Sequence, residues 1–167
     1  LVVTVSGATS NAITVSIGKV DTRESLWPWV RLLSPTGALI GQANGRDAAH
    51  VVDSFGRPVR APASGTYAIL VGSWDGSNGG FSGTGQYRLV LTRVPGAQRV
   101  SVGDQGGPLV NGGHHEGVIT LGDVDAWTIS ANQGDAILVT SGRRDSTSTL
   151  WPWVRLISPT GVFLGYW

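Results

Sequence analysis

Apolar residues along this chain come in short bursts. VVTVS at 2–6, AITVSI at 12–17, WVRLL at 29–33, ALIG at 38–41, TYAILVGSW at 66–74 and QYRLVLTRV at 86–94 are rich in Val, Ile, Leu, Thr and aromatics, the residues that suit a pleated, half-buried surface. Turn chemistry separates them: SPTG at 34–37 and again at 158–161, PASG ending at Gly65, the glycine-rich DGSNGGFSGTG at 75–85, and NGG at 111–113. No apolar period of 3.6 persists for three turns, so helices are not expected. The pattern predicts strands near 2–6, 12–17, 28–34, 37–42, 48–53, 66–74 and 86–94. Strands at this spacing, joined by such turns, predict an all-β antiparallel fold, a β-sandwich or jelly roll.

A repeat organises the chain. LWPWVRLLSPTG at 26–37 returns as LWPWVRLISPTG at 150–161, an offset of 124 residues, and carrying that offset outward matches 19 of 43 positions between 1–43 and 125–167. AITV at 12–15 matches AILV at 136–139, Gly18 matches Gly142 and Asp21 matches Asp145. One nearly whole unit and the first half of a second are therefore expected. The boundaries read as a unit at 1–95, a linker or added strand at 96–117, and a partial second repeat at 118–167. A half sandwich would leave apolar faces and ladder groups in water, so the second repeat is expected to be completed by a neighbour.

Composition narrows the classes. Charged residues are 14% of the chain and the formal net charge is +1, which fits neither a disordered polyelectrolyte nor an electrostatic nucleic-acid binder. Gly reaches 25 of 167 residues without a collagen period, in keeping with many tight turns. The absence of Cys removes disulfides, thiolate metal knuckles and thiol nucleophiles. No run of 18 apolar residues occurs, so no membrane span is expected. Leu1 opens directly on a strand-like run with no charged lead, as in a chain processed or excised from something longer.

GDVDAWTISANQGDAILV, then LWPWVRLISPTG, and in the first copy PASGTYAILVGS followed by TGQYRLVLT, together resemble the bacterial pre-peptidase C-terminal (PPC) domain family. The likeness lies in the opening Gly-Asp and acidic-aromatic strand, the Ala-x-x-Gly-Asp turn, the Pro-x-Gly hairpin and the Ser-Gly-Thr-Tyr strand. It covers about 1–95 and 118–167. The resemblance implies a secreted β-sandwich accessory module of bacterial extracellular enzymes or surface proteins, not itself catalytic. The WPW insertion and the 99–117 segment depart from the family pattern.

Few residues form a chemical constellation. His114, His115 and Glu116 are adjacent, but neighbouring residues of a strand point to opposite faces, and His50 is the one other histidine. Asp104 in GDQGG, with Asp123 and Asp125 in GDVD, offers hard oxygen ligands of the kind calcium takes. The DxDxDG pattern is missing, so the reading is turn capping, with no cofactor expected and calcium kept as the alternative. No GxSxG occurs, the carboxylates are scattered singly among turns, and the glycine-rich runs do not lead from strand to helix. No enzymatic activity is expected.

On an extended strand Trp27, Trp29 and Arg31 project to one face, and the arrangement recurs as Trp151, Trp153 and Arg155. These six residues are the candidate assembly or binding face, with at least one Trp of each pair, Trp29 and Trp153 foremost, expected in a contact between repeats or chains and Arg31 or Arg155 flanking it. The sequence is thus read as a structural unit of an extracellular filament or cell-surface repeat protein, its partners being copies of itself or adjacent repeats, head to tail. The alternative is a secreted module that holds carbohydrate or peptide for an attached enzyme.

Overall fold

The computed structural model describes residues 5–7, 11–74 and 82–166. The fold is all-β, with twelve strands and no helix among the described residues. Eight strands build the first repeat: β1 (Val5–Gly7), β2 (Ala12–Lys19), β3 (Pro28–Leu33), β4 (Leu39–Asn44), β5 (Ala48–Val51), β6 (Val59–Arg60), β7 (Gly65–Ser73) and β8 (Tyr87–Val94). One sheet runs β1-β7-β3-β4. In the other, β2 is central, with β8 on one side and β5 and β6 on the other. Every pairing in these two sheets is antiparallel.

Alternation explains which side chains fill the space between them. Ile13, Val15 and Ile17 of β2, Val30 and Leu32 of β3, Val51 of β5, and Tyr67 and Ile69 of β7 form one buried cluster, with Leu89 and Leu91 of β8 packed against it. These are every second residue of their strands, as a two-residue period requires. Polar positions between them face outward. The buried Tyr67 hydroxyl is satisfied by donating to the Ala63 carbonyl in the PASG turn.

The predicted strands of the first repeat are present within two or three residues at their ends, and the two-residue β6 is the one that the pattern missed. Of the strand expected at 2–6, residues 2–4 lie outside the described residues, as do 75–81 of the glycine-rich segment.

The rest of the chain carries β9 (Gly106–Pro108), β10 (Ala126–Thr128), β11 (Arg155–Ile157) and β12 (Phe163–Tyr166). β9 and β10 pair in parallel, and β11 and β12 form an antiparallel hairpin. This hairpin reproduces the three β3–β4 pairs that lie next to the turn. Arg31↔Gln42, Leu32↔Gly41 and Leu33↔Leu39 become Arg155↔Tyr166, Leu156↔Gly165 and Ile157↔Phe163, with the register shift at the same place. Both SPTG turns close alike, Ser34 N–H on the Ala38 carbonyl and Ser158 N–H on the Val162 carbonyl, each at 2.8 Å. Their last glycines, Gly37 and Gly161, adopt φ of 82° and 80°, where a Cβ is disfavoured.

The non-local part of the repeat is not reproduced. Residues 136–143, which correspond to the central strand β2, make no strand pairing and lie largely exposed, Leu138 by 91%. The second copy instead lies against the outer face of the first. Gly18 of β2 and Gly122 approach so closely that a Cβ on Gly18 would stand 2.3 Å from the Gly122 Cα. Gly161 sits equally tightly against the Val94 carbonyl.

Candidate functional site

Two constellations are candidates, the tryptophan face and the acidic cluster. In β3 the register turns Val30 and Leu32 into the core and Trp29 and Arg31 to the other side. There the Arg31 guanidinium lies over the Trp29 ring, 4.6 Å from its centroid, and donates from Nε to Gln42 of β4 at 3.1 Å. Trp29 is nonetheless 4% exposed, whereas Trp27 stands half out of the surface. Ser73 fixes Trp27 by accepting its backbone N–H at 3.0 Å.

The second copy repeats the stack in a more open setting. Arg155 lies 4.1 Å over the Trp153 ring, and Trp153 faces the His50 ring of β5 at 5.9 Å. Arg155 also donates from Nη2 to the Gly56 carbonyl at 2.7 Å. Trp153 and Arg155 therefore touch the first repeat. Burial, and after it the Arg155 charge, hold the His50 pKa below its usual value, while burial lowers that of Arg155 against the opposing pull of Asp53. Trp151 is 89% exposed. With Ser141, Gly142, Arg143, Leu150 and Pro152 it lines an open cleft of about 390 Å³.

The parallel pairing of β9 with β10 gathers the three aspartates. Register Ala126↔Gly106 places the turn before β9 beside the turn before β10, and carboxylate oxygens of Asp104, Asp123 and Asp125 come within 4.8 Å of one another. Asp104 accepts the Gln105 N–H at 2.9 Å, and Asp123 accepts the Val124 N–H at 2.9 Å. Asp123 also faces the Arg88 guanidinium at 3.8 Å. Asp125 differs, because its Oδ1 is buried without a hydrogen-bond donor. Burial, then the charges of Asp123 and Asp104, then a hydrogen bond with Asp104, push its pKa up to about 6. Three hard oxygen donors are part of what calcium needs, and backbone carbonyls and water would have to supply the rest of six to eight ligands.

The histidine pair divides between separate partners. His115 packs against Trp127, with ring centroids 5.3 Å apart and planes tilted by 59°, and accepts the Val110 N–H, whereas His114 meets Glu116 at 3.4 Å, and Glu116 is also paired with Arg144. Sequence reasoning singled out the tryptophans and aspartates but missed His50 and Gly18, whose roles depend on a fold-over of the second copy that has no local signal. No family model, characterised protein or solved structure matches the chain. The likeness to PPC domains therefore rests on the motifs quoted above.

Proposed function

We propose that this chain is a non-enzymatic structural unit of an extracellular filament or cell-surface repeat array, in which successive repeats associate head to tail by completing one another's sheets. One observation carries the reading. The same sequence element is a doubly paired central strand at 12–19 and an unpaired, exposed segment at 136–143. A segment with four of eight residues identical to a core strand, including Ile137 and Val139, has the composition of a buried strand but lacks strand partners. Exposed apolar surface with free ladder groups favours association.

Sedimentation velocity across a wide concentration range, together with electron microscopy of concentrated protein, tests the proposal. Concentration-dependent growth into linear species is expected, and a protease-resistant monomer at the highest concentration would overturn it.

A second reading has its own observation. The bare Trp151 indole beside Arg143 in an open cleft suits stacking on a sugar ring, as an accessory module of an extracellular enzyme would use it. Titration of Trp fluorescence with soluble polysaccharides, compared with a Trp151→Ala variant, checks that alternative.

A further inference from the structure

β8 has one open side. Lys19 of β2 donates its backbone N–H to the Asp47 carbonyl, on the β5 side, and Val20 donates to the Gln86 carbonyl, on the β8 side. Bonding alternates along an antiparallel ladder, so odd-numbered residues of β2 face β5 and β6, and even-numbered ones face β8. Through the register from Ala12↔Val94 to Lys19↔Tyr87, Tyr87, Leu89 and Leu91 turn their N–H and C=O groups away from β2. Among the described residues β8 pairs with no second strand. At the Arg93 end, the Gln98 side chain donates to the Arg93 carbonyl at 2.8 Å and closes that stretch of edge. The open edge is thus short and apolar.

The complementary piece is 136–143. It repeats β2, the strand that β8 already pairs with, and has apolar residues at alternate positions, Ile137 and Val139, matching Ile13 and Val15. Its backbone makes no ladder in this molecule.

We infer that residues 136–143 of one molecule add to the open edge of β8 in a second copy of this chain, antiparallel to it, with Ile137 opposite Leu91 and Val139 opposite Leu89. The inference rests on the reading of the chain as a self-associating unit and specifies its contact. This register satisfies three conditions at once. Odd positions of β8 supply the outward hydrogen-bonding groups. Ile137 and Val139 fall on the same face as Leu89 and Leu91, which pack against the core. Asp135, just outside the added strand, comes opposite Arg93, giving unlike charges at the strand end. Donor and acceptor are different surfaces, so the contact is heterologous and propagates unless it closes a ring.

The register puts Leu138 opposite Val90 in a non-hydrogen-bonded pair, where Cα atoms lie about 4.5 Å apart, a spacing that a disulfide spans. The chain contains no cysteine, so introduced thiols report without background. Val90→Cys protein mixed with Leu138→Cys protein under mild oxidation is expected to give the mixed disulfide dimer in preference to either homodimer. It should also exceed Leu138→Cys mixed with Val102→Cys, whose site is fully exposed. Ile137→Pro in the cysteine-free chain removes a ladder donor from a segment that makes no ladder in the monomer, and should weaken association about tenfold or more. If the mixed dimer does not exceed the Val102 control, or Val90→Cys links to itself faster than to Leu138→Cys, or Ile137→Pro associates normally, this contact is wrong while self-association stands. A wild-type chain that stays monomeric overturns both.

Discussion

Asp125 holds a charge that its surroundings resist. Its pKa in the folded chain is raised to about 6 from 3.8, so the folded state binds more protons than the unfolded one between those values, and stability falls as pH rises through that window. Asp125→Asn removes the charge but keeps the shape. The variant should melt a few degrees higher than wild type at pH 7.5 in metal-free buffer and at the same temperature at pH 4, as followed by circular dichroism. A lower melting temperature at pH 7.5 would mean that the ionised carboxylate is stabilised in the folded chain by a donor or a cation. His50 works in the opposite sense. Its pKa is lowered by burial and by Arg155, so the protein with the second copy docked binds fewer protons, and docking weakens as pH drops below about 6.5. Limited proteolysis within 150–166 should therefore be faster at pH 5.5 than at pH 7.5, and a His50→Phe variant should lose most of that difference. Both residues stand in the sequence as ordinary Asp and His. The neighbouring Asp123 can be read there, but the burial of Asp125 and the approach of Asp104, like the surroundings of His50, are made by chain segments tens of residues apart.

At the level of strands, repeat and structure part company in an instructive way. Ile13 and Ile137 occupy the same repeat position, yet Ile13 is fully buried in the core and Ile137 is exposed. Ile13→Ala should cost about 2–5 kcal/mol, while Ile137→Ala in dilute, monomeric protein should change stability by about 0.5 kcal/mol or less. Urea denaturation of the two variants decides this, and equal losses would show that 136–143 is packed in solution. The strands of the first repeat were legible because alternation and turn residues are local signals. The hairpin at 155–166 was legible for the same reason, since its Ser-Pro-Thr-Gly turn carries its own instructions. Residues 136–143 were not, because a central strand is defined by the neighbours that pair with it, and its sequence names those neighbours only by type. The tryptophan face was half legible: strand alternation sets Trp29 beside Arg31, but nothing local tells that Trp29 is covered and Trp151 bare.

For the whole molecule, the contact between Gly18 and Gly122 joins the two copies. A methyl group on Gly18 would collide with backbone at 2.3 Å, and backbone cannot swing aside as a side-chain tip can. Gly18→Ala should therefore detach the 118–124 segment from β2. The loss should be about 1–3 kcal/mol in urea denaturation, with faster amide exchange confined to 118–128. Unchanged exchange there would show that the 118–124 segment stays on β2 despite the added methyl group.

The duplicated hairpin also bears on how such a chain would acquire its structure in time. Contacts close in sequence form within microseconds, well before distant strands find each other, and each repeat carries one such self-closing element at its Ser-Pro-Thr-Gly turn. Every unit of an array would then possess its own nucleus, and the time to fold would depend little on how many units are joined. Gly37→Ala, which strains the turn without meeting any neighbouring atom, should slow refolding while leaving the unfolding rate nearly unchanged. A variant that unfolded faster but refolded normally would place the nucleus in the long pairing of β2 with β8 instead.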